Sequence, residues 1–551
     1  MKRILLAAAA LLFAQPVFAD PADPRISAAA LSEHIRVVSS DAFEGRGPAT
    51  PAEIKTIDYI VEQFKKEGLT PGGDSHGRWG AWTQDVPLAR FEVKGPVTMS
   101  LNEGGAVVPL AQGEQAVVQT LTPVDHVAIK AAPLVFIGYG VKAPERHWDD
   151  FKGVDLHGKI AVVLINDPDY EADLGGRFDG KAMTYYGRWT YKYEEAARQG
   201  ALGMLIIHET GPAAYGWQTV RNSNGNAQFD IVRADASKAH PLLQGWIQRD
   251  VAVELFRKAG LDFEAAKKAA QREDFRPVAL TGESFSADYA VDHSQIVTHN
   301  VVARVVGKTR PDETVFYTAH WDHLGVGAPD ARGDRIYNGA VDNGTGVAAL
   351  LELGRAFAQA PRTERSVVFL VVTAEEKGLL GSAYYASHPI YPLAKTVADI
   401  NLDALDTDGL ARDVTASGTG QLTLQDDLIA FAKADGRYFT PDPTPEQGHF
   451  FRSDHFSFAK VGVPALSVGS GQDLVNGGVP AGAAWQKEYV AHRYHQPADE
   501  WRADWDLSGE VADLTLVYQL GRHLADSDEW PVWKDGSEFK AVRDATAGER
   551  K

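Results

Sequence analysis

Three apolar, β-branched runs of this 551-residue chain each end on or just before a side chain that can hold a metal ion. Thr314-Val-Phe-Tyr-Thr-Ala-His320 closes on a histidine, Ser366-Val-Val-Phe-Leu-Val-Val-Thr-Ala-Glu-Glu delivers Glu375 and Glu376, and Thr396-Val-Ala-Asp-Ile-Asn-Leu-Asp403 closes on an aspartate. Short continuous apolar runs are strands buried on both faces, and open α/β sheets gather ligands at the carboxyl ends of such strands. The pattern therefore predicts an α/β fold, a mixed sheet sandwiched by helices with its polar residues at one edge. Between the first two runs, Asn338-Gly-Ala-Val-Asp342-Asn-Gly-Thr-Gly346 leads into an apolar helical face of Val347, Leu350, Leu351 and Phe357. Its glycines let the backbone pass close to whatever the edge binds.

Imidazole and carboxylate donors without thiolate suit borderline-hard divalent ions, zinc first, with cobalt or manganese as substitutes, and the chain has no cysteine. A short side chain at a strand-to-helix junction can touch two ions, which makes Asp342 the expected bridge. Two zinc ions carry four positive charges. Asp342, Glu376 and Asp403 supply three negative ones, so the balance favours one hydroxide between the metals as the nucleophile. Successive side chains point apart, so Glu376 is expected to ligate while Glu375 stays free as general base and then general acid. Asp322, two residues beyond His320, has the reach to hold that imidazole by its other nitrogen. His495 precedes a Gln-Pro turn and so lies on a loop, with Asp499 nearby as its expected partner; His492 is the fallback ligand.

This order of motifs resembles the co-catalytic di-zinc aminopeptidase family, metallopeptidase family twenty-eight, whose relatives include glutamate carboxypeptidases and transferrin receptors. The resemblance implies His320, Asp342, Glu376, Asp403 and His495 as ligands of two zinc ions, Glu375 as base and Asp322 as the aspartate orienting a histidine. It extends to Gly378-Leu-Leu-Gly-Ser382, to Arg452-Ser-Asp454-His455 and to Val461-Gly-Val-Pro464, the last two flanking the substrate pocket in relatives. Many relatives carry an oxyanion-steadying tyrosine just before the Ser-Asp-His segment. Here the residues are His449-Phe450-Phe451-Arg452, which leaves His449, Arg452 or a tyrosine from elsewhere for that task, or the metals alone with the phenylalanines packing a pocket wall.

Met-Lys-Arg, an apolar run from Ile4 to Phe13 and Val17-Phe-Ala19 have the layout of a secretory signal cleaved after Ala19, so residues 1–19 are expected to direct the protein to the periplasm or outside the cell. That run is too short to span a membrane, and no later stretch is apolar for the roughly 20 residues a spanning helix needs. The formal charge of -19 argues against a nucleic-acid partner. More than 500 residues exceed what one core serves, so at least two domains are expected. Residues 20–125 and 286–535 read as the peptidase. Thr50-Pro-Ala-Glu53 reads as a capping box for a helix with Ile54, Ile57, Val61 and Phe64 on one stripe. Residues 126–285, with strands such as Ile160-Ala-Val-Val-Leu-Ile165, resemble the β-rich protease-associated domain, which in relatives is inserted into the catalytic fold and roofs the substrate cleft. Residues 536–551 read as a polar tail that frays.

The reading that follows is an exopeptidase taking residues from the amino terminus of peptides. A carboxypeptidase of the glutamate carboxypeptidase type is the alternative. A receptor-like binding protein is disfavoured, since those relatives lose ligands that this chain keeps. Spacing does not set the oligomeric state or the preferred side chain.

Overall fold

The computed structural model describes residues 26–550 except 104, 173, 225, 226, 328 and 419; the expected leader at residues 1–19 lies outside the described residues. Four strands form the parallel centre of the main sheet, in the order Ala465–Ser470, Thr396–Leu402, Arg310–His320, Arg365–Val372. Asp413–Ala416 adds antiparallel at one side, and Val278–Val305 adds antiparallel at the other. The sheet is mixed, as the sequence predicts.

Arg365–Val372 and Thr396–Leu402 are buried at every position. The alternation of a strand assigns their side chains to two faces. Val367, Phe369 and Val371 join a core with Leu31 and Ile35 from Ala28–Val38, Ile57 and Phe64 from Pro51–Lys66, Leu350 and Phe357 from Gly346–Gln359, and Leu514 and Val517 from Ser508–Asp526. Val368, Leu370 and Val372 pack on the opposite face with Tyr385 of Leu380–Ser387 and Phe458 of His455–Lys460. Helices thus cover both faces. In the helix Pro51–Lys66, Ile54 is 41% exposed and stands off the predicted stripe, while Ile57, Val61 and Phe64 are buried.

The second body is built on His126–Phe136, Ile160–Leu164, Gly203–His208 and Leu243–Gln248, parallel in that order, with Ala116–Gln119 antiparallel at the edge. One 28-residue strand, Val278–Val305, makes the sheet continuous between the two bodies: Ala287 to Ala290 pair with the second body, and Val301 to Val305 pair with Arg365–Val372. Thr83–Glu103 runs beside it from Glu283 to Val301, so a ribbon joins the two bodies. The second core takes in Met99, Leu101, Leu110, Val118 and Val291, and so reaches beyond residues 126–285 at both ends.

The carboxyl-terminal stretch is packed and does not fray. Phe539 and Arg543 are buried, and Arg543 Nη2 donates to the Thr396 carbonyl at 2.9 Å. Its polar composition hides one apolar side chain that fits the core beside Trp533 and one guanidinium that satisfies strand-end carbonyls. Among the described residues no helix is long and apolar enough to cross a membrane.

Candidate metal centre

The strand ends Arg310–His320 and Thr396–Leu402 place His320 and Asp403 side by side, with His320 Nε2 3.2 Å from Asp403 Oδ1. Asp342 enters from the loop before Gly346–Gln359. Its Oδ1 lies 3.2 Å from His320 Nε2 and its Oδ2 lies 3.1 Å from His495 Nε2, so each carboxylate oxygen faces a different imidazole. Glu376 closes the second half, with Oε2 3.2 Å from His495 Nε2. The six residues expected to carry the chemistry converge, Glu375 standing 4.0 Å from His320 Nε2.

Backbone of unusual shape makes this approach feasible. Ala374 before Glu375, Ala404 after Asp403 and His495 itself have φ of 52°, 52° and 57°, a region that costs non-glycine residues about 1–3 kcal/mol each and that concentrates at functional sites. A Cβ on Gly339 would lie 2.2 Å from the Asp342 carbonyl oxygen and 2.6 Å from the His323 ring, so no other residue fits there. Two side chains hold the Asp342 loop without offering it a ligand atom. Asp499, fully buried, accepts the N–H groups of Val341 and Asp342 at 3.1 and 3.0 Å. Arg46, also fully buried, donates to the carbonyls of Trp321, Val38, Asn338 and Gly339 at 2.6 to 3.0 Å.

These contacts change several expected roles. The Asp322 backbone carbonyl, not its carboxylate, holds His320 Nδ1 at 3.0 Å; the carboxylate is 3.9 Å away and accepts the Glu375 N–H at 3.0 Å instead. Asp499 serves the Asp342 loop in place of His495, because main-chain donors consume both of its oxygens. His492 ends the helix Gly478–His492, exposed and outside the ligand groups. His455 is fully buried against the Phe450 ring, 4.7 Å between centroids. Asp454 is fully buried, and burial pushes its carboxyl up to about 7. Arg452 and His449 are exposed, and the neighbouring Ser453 hydroxyl donates to Asp403 Oδ2 at 2.6 Å. Tyr494 is the tyrosine lying against a ligand, its ring stacked on His495 at 3.9 Å.

His323 escaped the sequence reading. It is fully buried, its Nδ1 is 2.6 Å from Glu376 Oε1, and it forms a second donor group with Asp342 and Glu376 beside that of His320, Asp342 and Asp403. The signal was its place next to Asp322 in His-Trp-Asp-His.

The donor set fits cations. Ligands about 2.0–2.1 Å from a tetrahedral zinc stand roughly 3.3 Å apart, close to the 3.1–3.2 Å spacings here. The electrostatics of the donor side chains agree. Burial alone would lower the imidazoles, yet Asp403 and Glu375 hold His320 well above its ordinary value, and Glu376 and Asp342 raise His495 to about 9. Burial would raise the Asp342 carboxyl, but the hydrogen bonds from His320 and His495 keep it well below the usual range. Glu375, which no imidazole pairs closely, goes the other way: burial and then Glu376 and Asp403 push it well up against the pull of His320. The cluster calls for positive charge at the two places where Asp342 meets an imidazole.

The profile of peptidase family M28 matches residues 300–519. Among curated relatives, aminopeptidase YwaD of Bacillus subtilis is 29% identical over 116 residues, 20% of this chain and 23% of its own length. Leucine aminopeptidase 2 of Trichophyton rubrum is 25% identical over 301 residues, 52% of this chain and 56% of its own. The matches with the most similar curated relatives span less than a quarter of those proteins, 22 to 23%. Of solved structures, the aminopeptidase from Aneurinibacillus sp. strain AM-1 superposes with a TM-score of 0.50 over 92% of this chain and 96% of its own at 20% identity, a likeness of fold. The strand ends, the shared Asp342 and the matched profile lead to one conclusion: residues 300–519 of this chain are a domain of peptidase family M28.

Proposed function

We propose that this chain is an exported metallo-aminopeptidase that holds two zinc ions and removes amino-terminal residues from peptides. The observation that carries the reading is the Asp342 carboxylate, one oxygen toward His320 and the other toward His495. His320 and Asp403 complete one cation position, and His495 and Glu376 the other. Bound there, the ions would polarise the scissile carbonyl and activate water. The names of the relatives, aminopeptidases and zinc metalloproteases, support zinc and the direction of attack.

Glu375 moves the proton. Its backbone is pinned by Asp322, its side chain is 12% exposed, and its raised affinity for protons suits a group that takes a proton from water and returns it to the departing amine. Asp322 and Asp499 keep the two loops in place. The carboxylates gathered at the centre also favour a substrate that brings a free ammonium group. The leader pattern of residues 1–19 supports export.

The deciding experiment measures zinc per chain in the purified protein and its hydrolysis of aminoacyl amides with free or acetylated amino ends. Two zinc ions with cleavage of the free-amine series alone is the expected result. Two zinc ions without cleavage of either series would move the reading to a carboxypeptidase, and failure to bind zinc would overturn it.

A further inference from the structure

Among the described residues the buried arginines are paired, with one exception. Arg46 satisfies four carbonyls, Arg365 meets Glu313 at 2.6 Å, and Arg437 meets Asp513 at 2.6 Å. Arg188, 9% exposed, has no acceptor: its Nε is sealed from solvent without a partner, and among the described residues no carboxylate, hydroxyl or carbonyl pairs with its guanidinium. A buried cation without an anion is unfavourable, and a packed apolar side chain would avoid that cost.

Arg188 sits where the second body meets the catalytic floor. It follows the turn Tyr185–Gly187, whose Tyr185 ring packs on Phe456 at 5.3 Å, and the nearby Met183 N–H donates to the Pro445 carbonyl at 3.1 Å. Across that seam the Tyr185 ring lies 6.4 Å from the ring of Phe451, the residue before Arg452, which is exposed and likewise without an anionic partner among the described residues. Arg452 neighbours Ser453, which donates to the metal-site residue Asp403. The two cations feel each other: burial first, and then Arg452, lower the Arg188 guanidinium to about 10. Asp442 and Glu446 act on His449 but form no ion pair with either arginine. In a chain of formal charge -19, two unmatched guanidinium groups next to the segment that reaches Asp403 are a local reversal of sign.

We propose that Arg188 and Arg452 form a subsite for a carboxylate of the peptide substrate, between the second body and the metal centre. The proposal rests on the aminopeptidase reading and narrows it. A substrate held by its ammonium at the acidic centre and by a carboxylate at the arginines is either a short peptide whose own carboxyl terminus reaches them or a peptide with Asp or Glu beside the cleaved bond. Guanidinium is the natural receptor for both, through paired charge-assisted hydrogen bonds.

Steady-state kinetics of the zinc-loaded full chain on two matched pairs decides the matter: Leu-Gly-Gly against Leu-Gly-Gly-amide, and Leu-Asp-amide against Leu-Asn-amide. We expect kcat/KM to favour the carboxylate member of one pair by at least about 10-fold, mainly through KM. A preference in the first pair assigns the carboxyl terminus, and one in the second assigns an acidic side chain. The ratio should fall toward one in Arg188→Met and in Arg452→Gln, and Arg188→Lys should keep part of it. Arg452 is exposed, so its variant carries the test should Arg188→Met melt early. Equal rates within both pairs, or a preference that survives both substitutions, overturn the subsite and leave the aminopeptidase reading standing. Cleavage of none of the four overturns both.

Discussion

Both oxygens of the Asp499 carboxylate accept main-chain N–H groups of the segment that presents Asp342, with Asp342 N 3.0 Å from Oδ2 and Val341 N 3.1 Å from each oxygen. Asp499 thereby aims the shared ligand without competing for the ion. In Asp499→Asn the amide group places a donor where an acceptor is needed, so one N–H loses its partner. Residues that orient ligands in this way are typically worth 10–100-fold in metal affinity. Zinc affinity, measured by competition with a chelator, should drop by that factor, and the metal-free protein should lose about 1–3 kcal/mol of stability. An Asn variant that binds zinc as tightly as the parent would show that the loop needs no such brace.

Arg46 does the matching work on the carbonyl side. Its guanidinium reaches Trp321, next to His320, and Asn338 and Gly339, ahead of Asp342, and so couples two ligand-bearing loops to the amino-terminal segment. Lysine offers three donors from one point and cannot span four carbonyls set around a plane. Arg46→Lys should therefore lower zinc affinity and reduce the melting temperature together, and Arg46→Met should cost roughly 3 kcal/mol or more by leaving buried carbonyls without donors. Chelator competition and thermal melts read both effects; a Lys variant with wild-type zinc affinity would assign Arg46 to general packing alone.

Glu375→Gln separates ligand from base. Glutamine keeps the size of the side chain and the N–H that Asp322 accepts, but cannot take a proton. Zinc content should stay at the wild-type level while kcat falls by about 10²–10⁴. Glu376→Gln should instead lose metal, since that carboxylate stands 3.2 Å from His495 Nε2. Metal analysis of the two variants side by side distinguishes them, and equal metal loss in both would sink the division of labour.

How much of this was open to a sequence reader follows from geometry. His320, Glu376 and Asp403 are legible because each terminates a run buried at nearly every position, and strand ends of a parallel sheet share one edge. Asp342 is legible from the glycines around it. The roles of Asp322 and Asp499 are not, because proximity in sequence suggested a histidine of the same motif, while the groups their carboxylates hold are main-chain N–H groups brought close by folding. His323 was hidden for the same reason: its partner Glu376 is more than fifty residues away. The reach of the second body was hidden by Val278–Val305, a single continuous strand that pairs with the second body in its first half and with Arg365–Val372 at its end. Arg188 looks like any surface cation until its burial is known.

Away from the site, Glu510 governs part of the pH dependence of stability. Its side chain is fully buried near the start of the helix Ser508–Asp526, neither carboxylate oxygen has a hydrogen-bond partner among the described residues, and burial, followed by the charge of Asp513, pushes its carboxyl well above the ordinary 4.5. Asp513 itself is held by Arg437 at 2.6 Å, so that cation is engaged elsewhere. With a raised value in the folded state, the folded chain binds a proton that the unfolded chain has released, and stability contributed by this group falls as pH rises from about 4.5 upward. Glu510→Gln stays neutral throughout. The variant should match the parent near pH 4 and exceed it increasingly toward pH 8, by about 1 kcal/mol or more, since a tenfold tighter hold on the proton in the folded chain is worth roughly 1.4 kcal/mol. Urea unfolding of the metal-free protein at a series of pH values provides the comparison. A stability difference that does not change with pH would mean that Glu510 is solvated in solution and ionises freely.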